Sequence, residues 1–107
     1  MLEKRRYGRL SVNMPVILRH RGKFIPATML NISCGGMYLC VEQSSISNDA
    51  SVEVIFDLNE KERDVSMRGQ ITHIEDSNDH TRVGIQFTNI FSLSHKTVQQ
   101  YVNKHLN

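Results

Sequence analysis

Apolar and polar side chains alternate along most of this chain with the two-residue period of a half-buried strand. Met14, Val16 and Leu18 alternate with Pro15, Ile17 and Arg19, and Arg21-Gly22-Lys23 supplies a hairpin turn into a second run, Phe24 to Leu30. A third run, Met37 to Val41, follows the Gly35-Gly36 pair. Val52, Val54, Phe56 and Leu58 alternate with Ser51, Glu53, Ile55 and Asp57, and polar Asn59 to Asp64 reads as a turn before the long run Val65 to Ile74. Val83, Ile85 and Phe87 alternate with Gly84, Gln86 and Thr88. Short strands separated by polar turns predict an all-β barrel or sandwich, with Glu42 to Ser51 as a flexible loop.

The period changes in the tail. Val98, Tyr101, Val102 and Leu106 fall on one helical stripe, and Ser92 or Ser94 is placed to cap its N-terminus. One C-terminal helix is therefore expected to pack on the strands.

With 107 residues, 39% hydrophobic and 22% charged, the chain fits one globular domain that can fold without disulfides or a structural metal. The basic start, MLEKRRYGRL, is not followed by an apolar run long enough for a signal peptide or a membrane span, so a cytoplasmic protein without membrane insertion is expected. Cys34 and Cys40 are then free thiols.

The net charge of +2 conceals an asymmetry. Lys4, Arg5, Arg6, Arg9, Arg19, Arg21 and Lys23 face Glu3 alone in the first 24 residues, leaving the remainder net acidic. Such a basic arm attracts concentrated negative charge, whether a phosphate-bearing ligand, a nucleic acid or an anionic membrane surface; it also fits a disordered, solubilising tail.

Two short patterns carry candidate chemistry. Arg5-Arg6-Tyr7-Gly8-Arg9 contains R-x-x-x-R, and Asn31-Ile32-Ser33-Cys34-Gly35-Gly36 contains N-x-S-x-x-G. A guanidinium can fork onto phosphate oxygens, pair with guanine O6 and N7, or stack on a purine face. In extended backbone Asn31 and Ser33 point to one face, where an amide and a hydroxyl can converge on a base or phosphate edge, and Gly36 permits a turn or close backbone approach. Asn-x-Ser-x-Gly-Gly is equally a β-turn closed by side-chain to backbone bonds; the upstream arginines favour the ligand.

In order and spacing, the pair resembles the motifs of the PilZ domain family: R-x-x-x-R on an N-terminal arm, then D/N-x-S-x-x-G at the start of a strand. Gly36-Met37-Tyr38-Leu39 is similar to the apolar strand after the family's glycine, and Gly69-Gln70-Ile71 with Arg82-Val83-Gly84-Ile85-Gln86-Phe87 to its closing strand pair, so the resemblance spans about residues 5 to 90. It implies a six-stranded antiparallel β-barrel with one C-terminal α-helix: a basic arm over 1–12, a barrel over 13–90 and a helix over 92–106. It also implies a bacterial receptor that binds cyclic di-GMP, with no further cofactor, through Arg5, Arg6, Arg9, Asn31, Ser33 and Gly36. Asn31 departs from the commoner Asp, since an amide cannot accept two hydrogen bonds from guanine N1–H and N2–H as a carboxylate can.

A free arm of this charge is expected to be mobile and to order on a bridging dianion, presenting a new surface to an unidentified downstream protein. Catalysis is not expected. His20, His73, His80, His95 and His105 show no metal-ligand spacing and read as surface or core-edge residues, and neither a phosphate loop nor a nucleophile elbow is present. The rivals are a PilZ-like adaptor without nucleotide and a small barrel that binds nucleic acid. The second is disfavoured because Phe56 and Phe87 occupy inward positions, not a sheet-surface stacking face.

Overall fold

The computed structural model describes residues 8–42, 46–77 and 79–106. Six strands, β1 (Leu10–His20), β2 (Lys23–Ile32), β3 (Gly36–Val41), β4 (Ser51–Phe56), β5 (Val65–Asp76) and β6 (Thr81–Phe87), are followed by one helix, α1 (Leu93–Leu106). The strands close into an antiparallel barrel in the order β1-β2-β3-β6-β5-β4, as the alternation and the family resemblance led one to expect. Arg5 and Arg6 lie outside the described residues, and β1 starts at Leu10, inside the segment assigned to the arm.

The period-2 positions make the core. Val16, Leu18, Met29, Leu39, Val54, Met67, Ile71, Val83 and Ile85 are buried, while intervening Arg19, Arg68, Arg82 and Gln86 are exposed. Ile17, which the pattern assigns to the outer face, is 38% exposed there.

The turns have local causes. His20 pairs with Lys23 across Arg21 and Gly22, whose φ angles of 52° and 78° are both left-handed; two such residues form the primed turn that matches strand twist. Pro26 sits in the half of β2, Lys23–Ala27, that pairs with β1 alone, so its missing N–H interrupts no second ladder. The expected loop before β4 is partly tied down: Asp49 N–H donates to Ile71 O and Ile71 N–H to Ala50 O, each at 2.9 Å, and Ile46 is buried.

Ser92 caps the helix, its Oγ accepting the His95 N–H at 3.1 Å. The buried stripe is shifted from the expected one: His95, Val98 and Val102 are buried, Tyr101 is half-buried, and Leu106 in the last turn is 42% exposed. α1 packs against β1 and β5.

Candidate functional site

The N-x-S-x-x-G segment is the hairpin joining β2 to β3. Ile32 pairs with Met37, the Ser33 N–H donates to the Gly36 carbonyl at 2.8 Å, and Cys34-Gly35 forms the two-residue loop. A two-residue hairpin ordinarily relies on left-handed φ angles, yet among the described glycines only Gly22 has one. Here the Ser33 side chain closes the loop. Its Oγ accepts the N–H groups of Gly35 at 3.1 Å and Gly36 at 3.2 Å.

The expectation that Ser33 shares the extended backbone of Asn31 is corrected: Ser33 lies just beyond the end of β2, and its hydroxyl oxygen accepts from the loop's own amides. Asn31 remains on the strand, half-buried, paired with Ser11 on one side and Tyr38 on the other. Both ladders slip immediately before it: β1 carries an extra residue between Ser11 and Met14, and β2 carries Leu30 as an extra residue against β3. Such bulges re-aim side chains, and this one brings Asn31 beside inward-facing Ile32 onto the outer face.

Gly36 is required for space, not for its φ. A Cβ there would come well inside 3.0 Å of the Ile85 carbonyl oxygen on β6, a distance real Cβ atoms essentially never show. The close approach is one of the two roles open to it from sequence, but what lies against it is a strand. Next to it, Phe87 N–H donates to Gly35 O at 2.9 Å, fixing the loop to the end of β6.

Arg9 is exposed and immediately precedes Leu10, which pairs with Ile32. Continuing that antiparallel register by one residue puts Arg9 opposite Ser33, at the rim of the hairpin. Preceding Gly8 lies against the helix end, since a Cβ on it would meet Leu106 Cδ1 at 2.8 Å. Arg9, Asn31 and the Ser33–Gly36 loop thus share one end of the barrel, with a cationic group at the rim and an amide on the adjoining face.

His95 was missed by sequence reasoning, which read it as a surface or core-edge residue. It is 7% exposed, its Nε2 lies 2.6 Å from the Cys34 carbonyl, and its ring meets Phe87 edge-on with centroids 6.2 Å apart. A carbonyl can only accept, so Nε2 carries the proton and donates. The signal was present in the spacing, because His95 extends the Val98–Val102 stripe back by one turn. Beside it, burial pushes the Cys34 thiol pKa up, so it stays a neutral core group.

A separate cleft farther along β2 and β3 is lined by Pro26, Thr28, Cys40, Glu42 and Asp79. Its two carboxylates would repel an anion, and none of the candidate residues lines it. Among the described residues no group of three His, Cys, Asp or Glu could hold a metal ion, and no helix is long and apolar enough to cross a membrane.

Comparison with solved structures returns the same architecture. The Bacillus subtilis inhibitor of motility (MotI/DgrA) superposes with a TM-score of 0.81 at 19% identity, over 98% of this chain and 52% of that one, so this chain spans about half its length. The PilZ domain of Escherichia coli YcgR with c-di-GMP superposes with a TM-score of 0.78 at 14% identity, covering 95% of this chain and 91% of that one. The PlzA protein of Borreliella burgdorferi in complex with c-di-GMP gives 0.67 at 14% identity, over 94% and 41% of the two chains. Comparison with the curated proteins finds no match. At these identities the likeness carries the fold, and the family rests on the sequence model for the PilZ domain, which matches residues 3–104 and so takes in the arm, the hairpin, the closing strand pair and most of α1. This chain belongs to the PilZ domain family.

Proposed function

We propose that the protein is a cyclic di-GMP receptor that binds the dinucleotide at the rim built by the arm and the β2–β3 hairpin and does no chemistry on it. The carrying observation is the Leu10–Ile32 and Ser11–Asn31 register, which, continued by one residue, sets Arg9 opposite Ser33 while Asn31 faces outward two residue pairs away. Arg5, Arg6 and Arg9 supply the cationic half, gripping phosphodiester or guanine edges, and Asn31 supplies the neutral half. Ser33 and Gly36 act through the loop they shape. The YcgR PilZ domain and PlzA are both solved with c-di-GMP, which supports the choice of ligand.

The switch we propose is the arm itself. Its basic residues repel one another, and a dianion bridging them to the barrel would order the segment and create the surface an unidentified downstream protein reads.

Calorimetry tests both parts. The parent should bind cyclic di-GMP in preference to GMP and to a single-stranded oligonucleotide, more weakly as ionic strength rises from roughly 0.05 to 0.5 M. Arg9→Ala and Arg5→Ala should each weaken binding at least about tenfold without lowering the melting temperature, the scale of one lost charge-assisted contact. Parental affinity in both variants refutes the site. Amide signals of residues 2 to 10 that are already dispersed without ligand and unmoved at saturation refute the arm switch.

A further inference from the structure

The outer face of the barrel carries a row of side chains that continues from the candidate site. Cross-strand register sets Ser11, Asn31, Tyr38, Gly84 and His73 side by side on β1, β2, β3, β6 and β5. Gly84 lacks a side chain, and the rings of Tyr38 and His73 close over it, near-parallel at 23° with centroids 5.9 Å apart. A Cβ at Gly84 would lie 3.0 Å from Tyr38 Cε1 and 3.2 Å from His73 Cβ, so the glycine lets the two rings meet. Gly84 is buried beneath them, Tyr38 is half-buried and His73 is exposed.

We propose that Tyr38, extended by His73, is the stacking surface for one guanine of the bound dinucleotide, beside Asn31. The inference rests on the cyclic di-GMP reading. Cyclic di-GMP presents two flat purines as well as two phosphates; arginines answer the phosphates, but a purine face leaves water most favourably onto another π surface. Directly opposed cross-strand residues have Cβ atoms about 4.5–5.5 Å apart, so a base whose edge meets the Asn31 amide lies within reach of the Tyr38 ring. Phe24, 64% exposed, stands near the other end of β2 under the Arg19 guanidinium, too far along the strand to serve the same base.

A purely structural role for Tyr38, shielding the Gly84 backbone, makes a different forecast. Any apolar cover would then serve, whereas stacking needs an aromatic ring. The parent, Tyr38→Phe and Tyr38→Leu should be titrated with cyclic di-GMP, with melting temperatures recorded without ligand and the guanine H8 proton followed by NMR. Tyr38→Phe should bind within about twofold of the parent and Tyr38→Leu about tenfold more weakly, the scale of one lost base–aromatic stack. H8 should move upfield in the parent and Tyr38→Phe complexes and lose that shift in Tyr38→Leu. Parental affinity in a folded Tyr38→Leu overturns the stacking role while leaving the receptor reading in place; a parent that does not bind overturns both. If Tyr38→Leu melts far below the parent, the H8 shift of the parent complex decides, and its absence overturns the proposal.

Discussion

Replacing Gly36 by alanine sets a methyl carbon against the Ile85 carbonyl oxygen, 3.2 Å from the carbonyl carbon and 3.4 Å from Gln86 Cα. These are backbone atoms of a paired strand, so no rotamer change relieves the contact. To restore ordinary van der Waals separation near 3.5 Å, β3 and β6 must part by about 1.4 Å at this point. The Phe87 N–H to Gly35 O bond, 2.9 Å in the native barrel, then opens beyond hydrogen-bonding range. One lost bond costs about 1 kcal/mol and the residual overpacking about 1–3 kcal/mol, so Gly36→Ala should destabilise by about 2–4 kcal/mol. For a domain of this size that is a fall in melting temperature of about 10–20 °C. Gly22→Ala is the informative control: φ is +78° there but nothing lies within 4 Å of an added Cβ, so only left-handed strain remains, about 1–2 kcal/mol. Circular dichroism melts and urea titrations of both variants separate the two causes. A Gly36→Ala protein melting within about 2 °C of the parent, or no lower than Gly22→Ala, refutes the steric argument.

Ser33→Ala removes the acceptor of the Gly35 and Gly36 amides and should cost about 1–2 kcal/mol of stability in a urea titration, so an unchanged midpoint would show that the loop closes without it. Glu53 is held below the ordinary carboxylate pKa chiefly by the Ser66 hydroxyl, with the Arg19 guanidinium, 3.2 Å away, adding to the effect. A carboxyl depressed on folding contributes stability that is fully present above its unfolded pKa of about 4.3 and is lost as pH falls through the lower folded value. Glu53→Gln should therefore flatten that acid limb in melts between about pH 2 and 6, and an acid limb identical to the parent's would remove Glu53 as its source.

Most of the barrel was legible because period-2 burial is written residue by residue. A strand such as Val52–Phe56 needs no knowledge of its partners to show which face is inward, and Arg21-Gly22 announces its own turn. The candidate site was legible as a set of residue types but not as a geometry. The slip at Leu30 turns Asn31 outward, and it exists only once β2 is laid against β3; nothing in Met29-Leu30-Asn31 marks it. For the same reason Ser33 and Asn31 looked equivalent from their spacing. The end of the strand divides them, one keeping its polar group on the outer face while the other spends it on the loop.

The pairing of Tyr38 with His73 is a more distant case, because it depends on β6 lying between β3 and β5 with a glycine at the shared register position. Gly84 alone reads as a weak point in a strand, and Tyr38 alone as one more residue of an apolar run. The His95 bond to Cys34 O joins the hairpin to α1 in the same way, across a long stretch of sequence. The hairpin is therefore held from three sides: by its own serine, by the Phe87 amide of β6 and by a helix side chain. A loop bound this firmly is suited to present a fixed surface.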